Sequence, residues 1–355
     1  MTTGLRALRA LNRATLARQL LLRRADISVP EALSRVGGLQ AQTAQTWYVG
    51  LWTRLAGYSP AATSDLLADG LLVRMALMRG TIHLVAADDA RWLRPLVDPV
   101  IHRGTMGAFG RDLRDVDRDE LAALARKALA ERPMTFTELG RELAVRWPGR
   151  DPLALGNAAR AWLPLAQSPP RGLWGRRGKA AHHVFPAPLI DAPVDRLVLS
   201  YLSAFGPATV LDCQQWSGLT RLAEVFERLR PSLVALPGGY FDLPDAPRPD
   251  PETPAPVRFL YDFDNLLLSH DDRRRVLGDV DYTSQGWGGG NMEMPRSLLV
   301  DGFVAATWKE TKGRLTVRPF RRLTARERAE ISAEGAQLLA FLAPDAPHEI
   351  AFRDD

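Results

Sequence analysis

The stretch Leu72-Val73-Arg74-Met75-Ala76-Leu77-Met78-Arg79-Gly80-Thr81-Ile82-His83-Leu84-Val85 reads as two strands joined at a glycine-containing tip, with apolar residues recurring along each arm. Helical signals stand before it. Leu11 to Ala25 has the apolar spacing of a helix, with Leu16, Leu20 and Leu21 toward a core and Arg13, Arg18, Arg23 and Arg24 toward water. Pro30 opens a short helix ending at Gly37-Gly38, and Trp47 to Leu55 gives an aromatic-rich one. Ser59-Pro60 is a helix start, with a capping hydroxyl before a proline that suits the first turn. Helices followed by a short basic hairpin are the outline of a winged helix-turn-helix unit.

That outline recurs twice. Asp117 to Ala130, a Pro133-Met134-Thr135 start with Glu138 at capping-box spacing, and Leu153 to Leu165 give three helices. The basic, glycine-broken run Arg171-Gly172-Leu173-Trp174-Gly175-Arg176-Arg177-Gly178-Lys179 then reads as a wing. Asp195 to Phe205, a Pro207-Ala208-Thr209 start, Leu219 to Arg228 and a hairpin around Gly238-Gly239 repeat the order. The expected class is therefore α+β and helix-dominated, with three tandem winged helix-turn-helix motifs. The units are placed at 1–110, 111–191 and 192–245. A linker at 246–257, with prolines at 247, 249, 251, 254 and 256, favours extended backbone. Residues 258–355 read as a C-terminal strand and hairpin region with a final helix. Arg258 to Leu268 is a buried strand turning near Asp264-Asn265. Asp301-Gly302 is a hairpin turn, Leu315 to Phe320 a strand, Ala325 to Leu342 the helix, and Thr283 to Asn291 a mobile glycine-rich run.

Between the first glycine pair and the aromatic helix lies Gly38-Leu39-Gln40-Ala41-Gln42. In extended backbone, residues two apart project to one side, so Gln40 and Gln42 present two neutral amides together. Each carries an acceptor and a donor, enough to hold a water or to cap a turn.

Composition narrows the function classes. Hydrophobic residues make up 46% of the 355, enough for real cores. Of 46 basic residues only Lys127, Lys179, Lys309 and Lys312 are lysine, leaving 42 arginines, and the net charge is +5. With a pI near 9.6, this favours a polyanionic partner. Cys213 is the only cysteine, and His182-His183 has no third ligand at useful spacing, so neither a disulfide framework nor a metal centre is expected. No apolar run approaches the ~20 residues of a membrane span, and no signal peptide is read. A cytoplasmic protein is expected.

Taken with Tyr48-Val49-Gly50-Leu51-Trp52-Thr53-Arg54, Leu77 to Val85, Asp264-Asn265-Leu266-Leu267-Leu268-Ser269-His270 and Leu299-Val300-Asp301-Gly302-Phe303-Val304, the Gly38 to Gln42 segment resembles the winged-helix DNA glycosylases typified by AlkZ and YcaQ. The matches run through nearly the whole chain. The resemblance implies a concave DNA-binding surface and a catalytic Gln-apolar-Gln motif, matched by Gln40-Ala41-Gln42; the other branch of the family has aspartate in the second place. It implies a monofunctional glycosylase that hydrolyses the bond to bulky N7-alkylguanine, crosslinked guanine included. Such enzymes protect producers of DNA-alkylating natural products. The partner would be double-stranded DNA, bound by a monomer without a cofactor. Where relatives tend to have proline, this chain has Ala44 and Trp47. Trp47 would either stack on an extended adduct or pack in the core. Arg79 and His83 on the first hairpin would reach phosphates or the lesion, although a buried, hydrogen-bonded His83 fits equally. Arg171, Arg176, Arg177 and Lys179 would touch the DNA backbone or remain a solvated loop. The rival reading is a non-catalytic winged-helix DNA-binding protein.

Overall fold

A computed structural model describes residues 4–280 and 294–353; the glycine-rich run at 283–291 lies outside them. In chain order the first unit has α1 (Leu5–Arg18), α2 (Val29–Val36), β1 (Leu39–Gln40), α3 (Trp47–Trp52), α4 (Pro60–Ala68), β2 (Leu72–Ala76) and β3 (Ile82–Ala86). A long helix, α5 (Ala87–Phe109), leads to the second: α6 (Arg118–Glu131), β4 (Met134–Thr135), α7 (Phe136–Ala144), α8 (Pro152–Trp162), β5 (Leu165–Gln167) and β6 (Ala181–Val184). The third has α9 (Val194–Phe205), α10 (Val210–Ser217), α11 (Ala223–Leu229), β7 (Val234–Leu236) and β8 (Tyr240–Asp242). The remainder comprises β9 (Arg258–Phe259), α12 (Arg274–Leu277), β10 (Arg296–Val300), β11 (Phe303–Thr311), β12 (Arg314–Pro319), α13 (Ala325–Leu342) and β13 (Glu349–Phe352). The chain is α+β with helix dominant.

Each unit repeats one order: helix, short extended segment, two helices, hairpin. The short segment pairs antiparallel with the last strand of its own hairpin: β1 with β3, β4 with β6, and Ala208 with Phe241. This is the pattern expected of winged helix-turn-helix units. Local caps explain the starts. Ser59 accepts the Ala62 N–H before Pro60, Asp117 accepts from Glu120, and Thr135 with Glu138, like Thr209 with Asp212, forms a reciprocal capping box.

The first two hairpins are not free wings. β2 and β5 join through Met75 and Ala166, giving a six-stranded sheet of order β1-β3-β2-β5-β6-β4. All five residues of β2 are buried. One face packs with Leu39, Leu72 and Leu84 into a core shared with α3 and the C-terminal region. The other packs Val73, Met75 and Val85 against α5 and α9.

Three expectations are corrected. The first helix ends at Arg18, and Leu20 takes a left-handed φ of 58°. Arg13 and Arg18 are buried, not wet: Arg13 meets Asp301, and Arg18 makes a bidentate pair with Asp242 at 2.7 and 2.9 Å. These partners lie far along the chain, so helical spacing could not show them. The proline-rich segment is anchored, with Arg9 and Arg13 donating to the carbonyls of Pro251 and Thr253. The strand read over Arg258 to Leu268 stops at Phe259, where a bend and a short 3-10 turn, Asn265–Leu267, take over. Strands β9 to β12, with β13 parallel beside β12, form a five-stranded sheet carrying the expected Asp301-Gly302 turn.

Beneath α3, Arg54 and Asp264 form a bidentate pair at 2.8 and 2.7 Å with both side chains fully buried. Removing one partner strands the other charge out of water. Asp264→Ala is expected to destabilise the fold by ~3–5 kcal/mol, read by urea unfolding; a loss of under ~1 kcal/mol would show the pair to be dispensable.

Candidate active site

Helix α2 ends in two left-handed glycines, Gly37 (φ 75°) and Gly38 (φ 76°). A Cβ on Gly38 would lie 2.7 Å from Val85 Cγ1, so only glycine lets the chain turn so close to β3. This turn sets the register of β1, which places Gln40 opposite His83. One residue on, the Ala41 N–H donates to the Ile82 carbonyl at 2.7 Å.

The two glutamines are held differently. Gln40 is 5% exposed, and its Oε1 accepts from Arg79 Nη2 at 2.7 Å. Arg79 also donates to the Trp216 carbonyl at 2.6 Å, tying the motif to the third unit. Gln42 is exposed, and its Oε1 accepts from the Ile82 N–H at 3.2 Å. A guanidinium and a backbone N–H can only donate, so these contacts fix which way round each amide sits. Both carbonyl oxygens therefore already receive one hydrogen bond, and each keeps one lone pair.

Arg79 occupies the hairpin tip with φ 56°, a conformation that costs a non-glycine residue energy unless its surroundings hold it. Its half-buried guanidinium is pushed down to about 10 by burial, which leaves it cationic at neutral pH. The expectation that Arg79 reaches out to phosphate is corrected: it turns inward to Gln40. His83 is wholly buried and held down to about 3, chiefly by burial and then by the Arg79 charge. It is a neutral imidazole with Nδ1 3.0 Å from the Thr81 carbonyl, not an outward group. Trp47 resolves as core. It is 0% exposed, stacks on Tyr48 at 3.9 Å and donates Nε1–H to the Ala44 carbonyl.

The second basic run is the long β5–β6 loop. Its inner side packs down: Trp174 meets Tyr48, and Gln45 donates to the carbonyls of Leu173 and Arg176 while accepting from the Gly175 N–H. Between this loop and the turn Thr43–Thr46 opens a groove of about 510 Å³, walled on the basic side by Arg171, Arg176 and Arg177. Arg176 and Arg177 are exposed, whereas Arg171 is half-buried and donates to the Gly178 carbonyl. Lys179 lies apart, exposed and 3.4 Å from Glu138.

Sequence reading missed the groups that hold the motif from behind. Asn265 donates Nδ2–H to the Gly38 carbonyl at 2.6 Å and accepts the Gln40 N–H at 3.3 Å. Asp262 accepts from Thr43 Oγ1 at 2.6 Å and from Thr46 Oγ1 on its other oxygen. Only the Asn265 segment carried any signal, as part of the resemblance.

Residues 33–341 match the model of the AlkZ-like DNA glycosylases, and the chain belongs to that family. A Streptomyces sahachiroi protein described as an interstrand DNA cross-link repair glycosylase is 25% identical over 351 aligned positions, covering 85% of this chain and 88% of the relative. The solved structure of S. sahachiroi DNA glycosylase AlkZ superposes with a TM-score of 0.77 at 21% identity, covering 99% of this chain and 100% of that one.

His83 gives a pH test. Its folded value of about 3 lies below the ordinary 6.5, so between these values the unfolded chain binds more protons. Its contribution to stability is complete above the ordinary value and falls as pH drops through that window, at ~1.4 kcal/mol per pH unit. Urea unfolding at about pH 7 and about pH 5 is expected to show a shallower pH slope in His83→Gln than in the unmutated protein; identical slopes would contradict a buried neutral His83.

Proposed function

We propose that the protein is a monofunctional DNA glycosylase that hydrolyses the N-glycosidic bond of bulky N7-alkylguanine, crosslinked guanine included. Acting as a monomer, it would give self-resistance to a DNA-alkylating natural product. The observation that carries the reading is the placement of Gln40-Ala41-Gln42. The motif is extended, paired to a buried hairpin and adjoins a basic groove, in a chain of the AlkZ-like family.

The chemistry suits neutral amides. Guanine alkylated at N7 carries a positive charge and leaves as a neutral base, so no strong general acid is required. Positive character builds on the sugar, and a water must be held on the opposite face. The exposed Gln42 amide is the group able to meet that water, through the remaining lone pair on Oε1. Gln40 lies behind it, and with the Arg79 cation on its carbonyl it is a weak acceptor. Gln40 fixes the strand and the amide array. Neither glutamine acts as a formal base. Water rather than an amine is the nucleophile in this reading: Lys179 is paired to Glu138 on the second unit, and Lys127, Lys309 and Lys312 belong to α6, β11 and the turn after it.

The exposed guanidinium groups of Arg176 and Arg177 would face the phosphates of one strand across the groove. Such interactions set affinity and register without reading the lesion.

Two measurements test this. Duplexes carrying N7-methylguanine or a bulky N7-guanine adduct, incubated with protein and cleaved by alkali, should break at the lesion, faster for the bulky adduct. The Gln40→Ala, Gln42→Ala protein should be slower by about 10-fold to 10³-fold; equal rates in the two proteins would remove the motif from the chemistry, and retarded DNA without breaks would favour a non-catalytic binder. Replacing Arg176 and Arg177 with alanine should weaken binding to damaged and undamaged duplex alike and reduce the log–log salt slope by ~0.9 for each phosphate no longer neutralised. An unchanged slope would place the DNA elsewhere.

A further inference from the structure

The segment Asp262–Asn265 comes from the C-terminal region yet touches the glutamine motif on both sides. At its far end, Asn265 is wholly buried and spans the start of the motif, donating to the Gly38 carbonyl and accepting the Gln40 N–H. At its near end, Asp262 is 9% exposed and binds the turn that follows, with Thr43 on one carboxylate oxygen and Thr46 on the other. Between them Asp264 is locked to Arg54, which itself donates to the Gly50 carbonyl on α3. The Gly38–Thr46 stretch is thus suspended from a rigid rail behind it, and Gln42 projects from the span between the two attachment points.

Asp262 is an unusual choice for a turn anchor. A nearly buried carboxylate loses much of its hydration, and among the described residues no arginine or lysine is paired with it; the groups that bind it are two hydroxyls. Asp262 can accept from both at once because each oxygen has lone pairs facing outward. An alanine there would release both threonines, and among the described residues nothing else ties the Thr43 and Thr46 side chains.

We infer that Asp262 and Asn265 are positioning residues for the hydrolysis, setting the place of Gln42 by gripping the motif on either side. The inference rests on the glycosylase reading for its kinetic consequence, and on the hydrogen bonds alone for its structural one. Displacing a positioned group by an ångström can cost about 100-fold in rate.

The test uses Asp262→Ala, Asp262→Asn and the double variant Thr43→Val, Thr46→Val, which breaks the same hydrogen bonds from the other side. Base excision is followed under single turnover with enzyme in excess. Asp262→Ala and the threonine double variant are each expected to slow by about 10-fold to 100-fold. Combining them should add no further loss, because the same interaction is removed twice. Asp262→Asn keeps a donor and an acceptor for the two hydroxyls and is expected to retain the unmutated rate. Excision at the unmutated rate in Asp262→Ala would overturn the proposal. So would an equal loss in Asn and Ala, which would make the charge itself the acting feature. Hydrogen exchange separates this from failure of the functional reading. If the unmutated protein releases no base, that reading fails, while the grip still predicts faster exchange across residues 38–46 in Asp262→Ala and Asn265→Ala. Unchanged exchange there would overturn the grip itself.

Discussion

The fully buried Arg54–Asp264 pair is the constraint on which the site depends. Two charges removed from water stabilise a fold only when their geometry is good and their remaining donors and acceptors are used. Here Arg54 Nη1 also donates to the Gly50 carbonyl and Asp264 accepts the Leu266 N–H, leaving Arg54 Nε–H as the pair's one donor without a partner among the described residues. The pair therefore fixes α3 against the segment that carries Asp262 and Asn265. A slip between them would leave a bare charge inside the protein. The glutamine motif inherits that precision because it hangs between α3 and this segment.

A second consequence follows from the sheet. A hairpin standing free in solvent could tilt or fray, but β2 and β3 are sandwiched between two cores and continued on one edge by the second unit. Gln40 is anchored to this hairpin through Arg79, and Arg79 reaches the third unit through the Trp216 carbonyl. All three units and the C-terminal region thereby bear on one short extended stretch. The two glutamines consequently differ in environment: one is buried with a cation on its carbonyl, and the other is at the surface with an amide free to meet a ligand.

What sequence could show was decided locally. Capping at Ser59 and Thr135 depends on residues a turn apart, the Asp301-Gly302 turn on its own two backbones, and α13 on its own periodicity, so these were readable. Burial of Arg13 and Arg18 was not, because Asp301 and Asp242 are distant in the chain. Helix α5 contains Pro95 and Pro99, which obscure a helical signal that tertiary packing sustains. The glutamine pair was visible as a spacing. Its hydrogen bonds were not, since the partners sit on a hairpin tip and on a segment more than two hundred residues away. Trp47 was ambiguous for a simple reason: an aromatic beside a motif looks the same whether it faces a lesion or Tyr48.

The central claim is that water met by Gln42, on a strand fixed by Gln40, cleaves the bond between sugar and base. Mass spectrometry of the products from DNA bearing a bulky N7-guanine adduct tests it most directly. The predicted products are the intact adducted guanine in solution and an unbroken abasic strand, both formed about 10-fold to 10³-fold more slowly by the Gln40→Ala, Gln42→Ala protein. A base still attached to its sugar, or a strand trapped on the protein by borohydride, would contradict it.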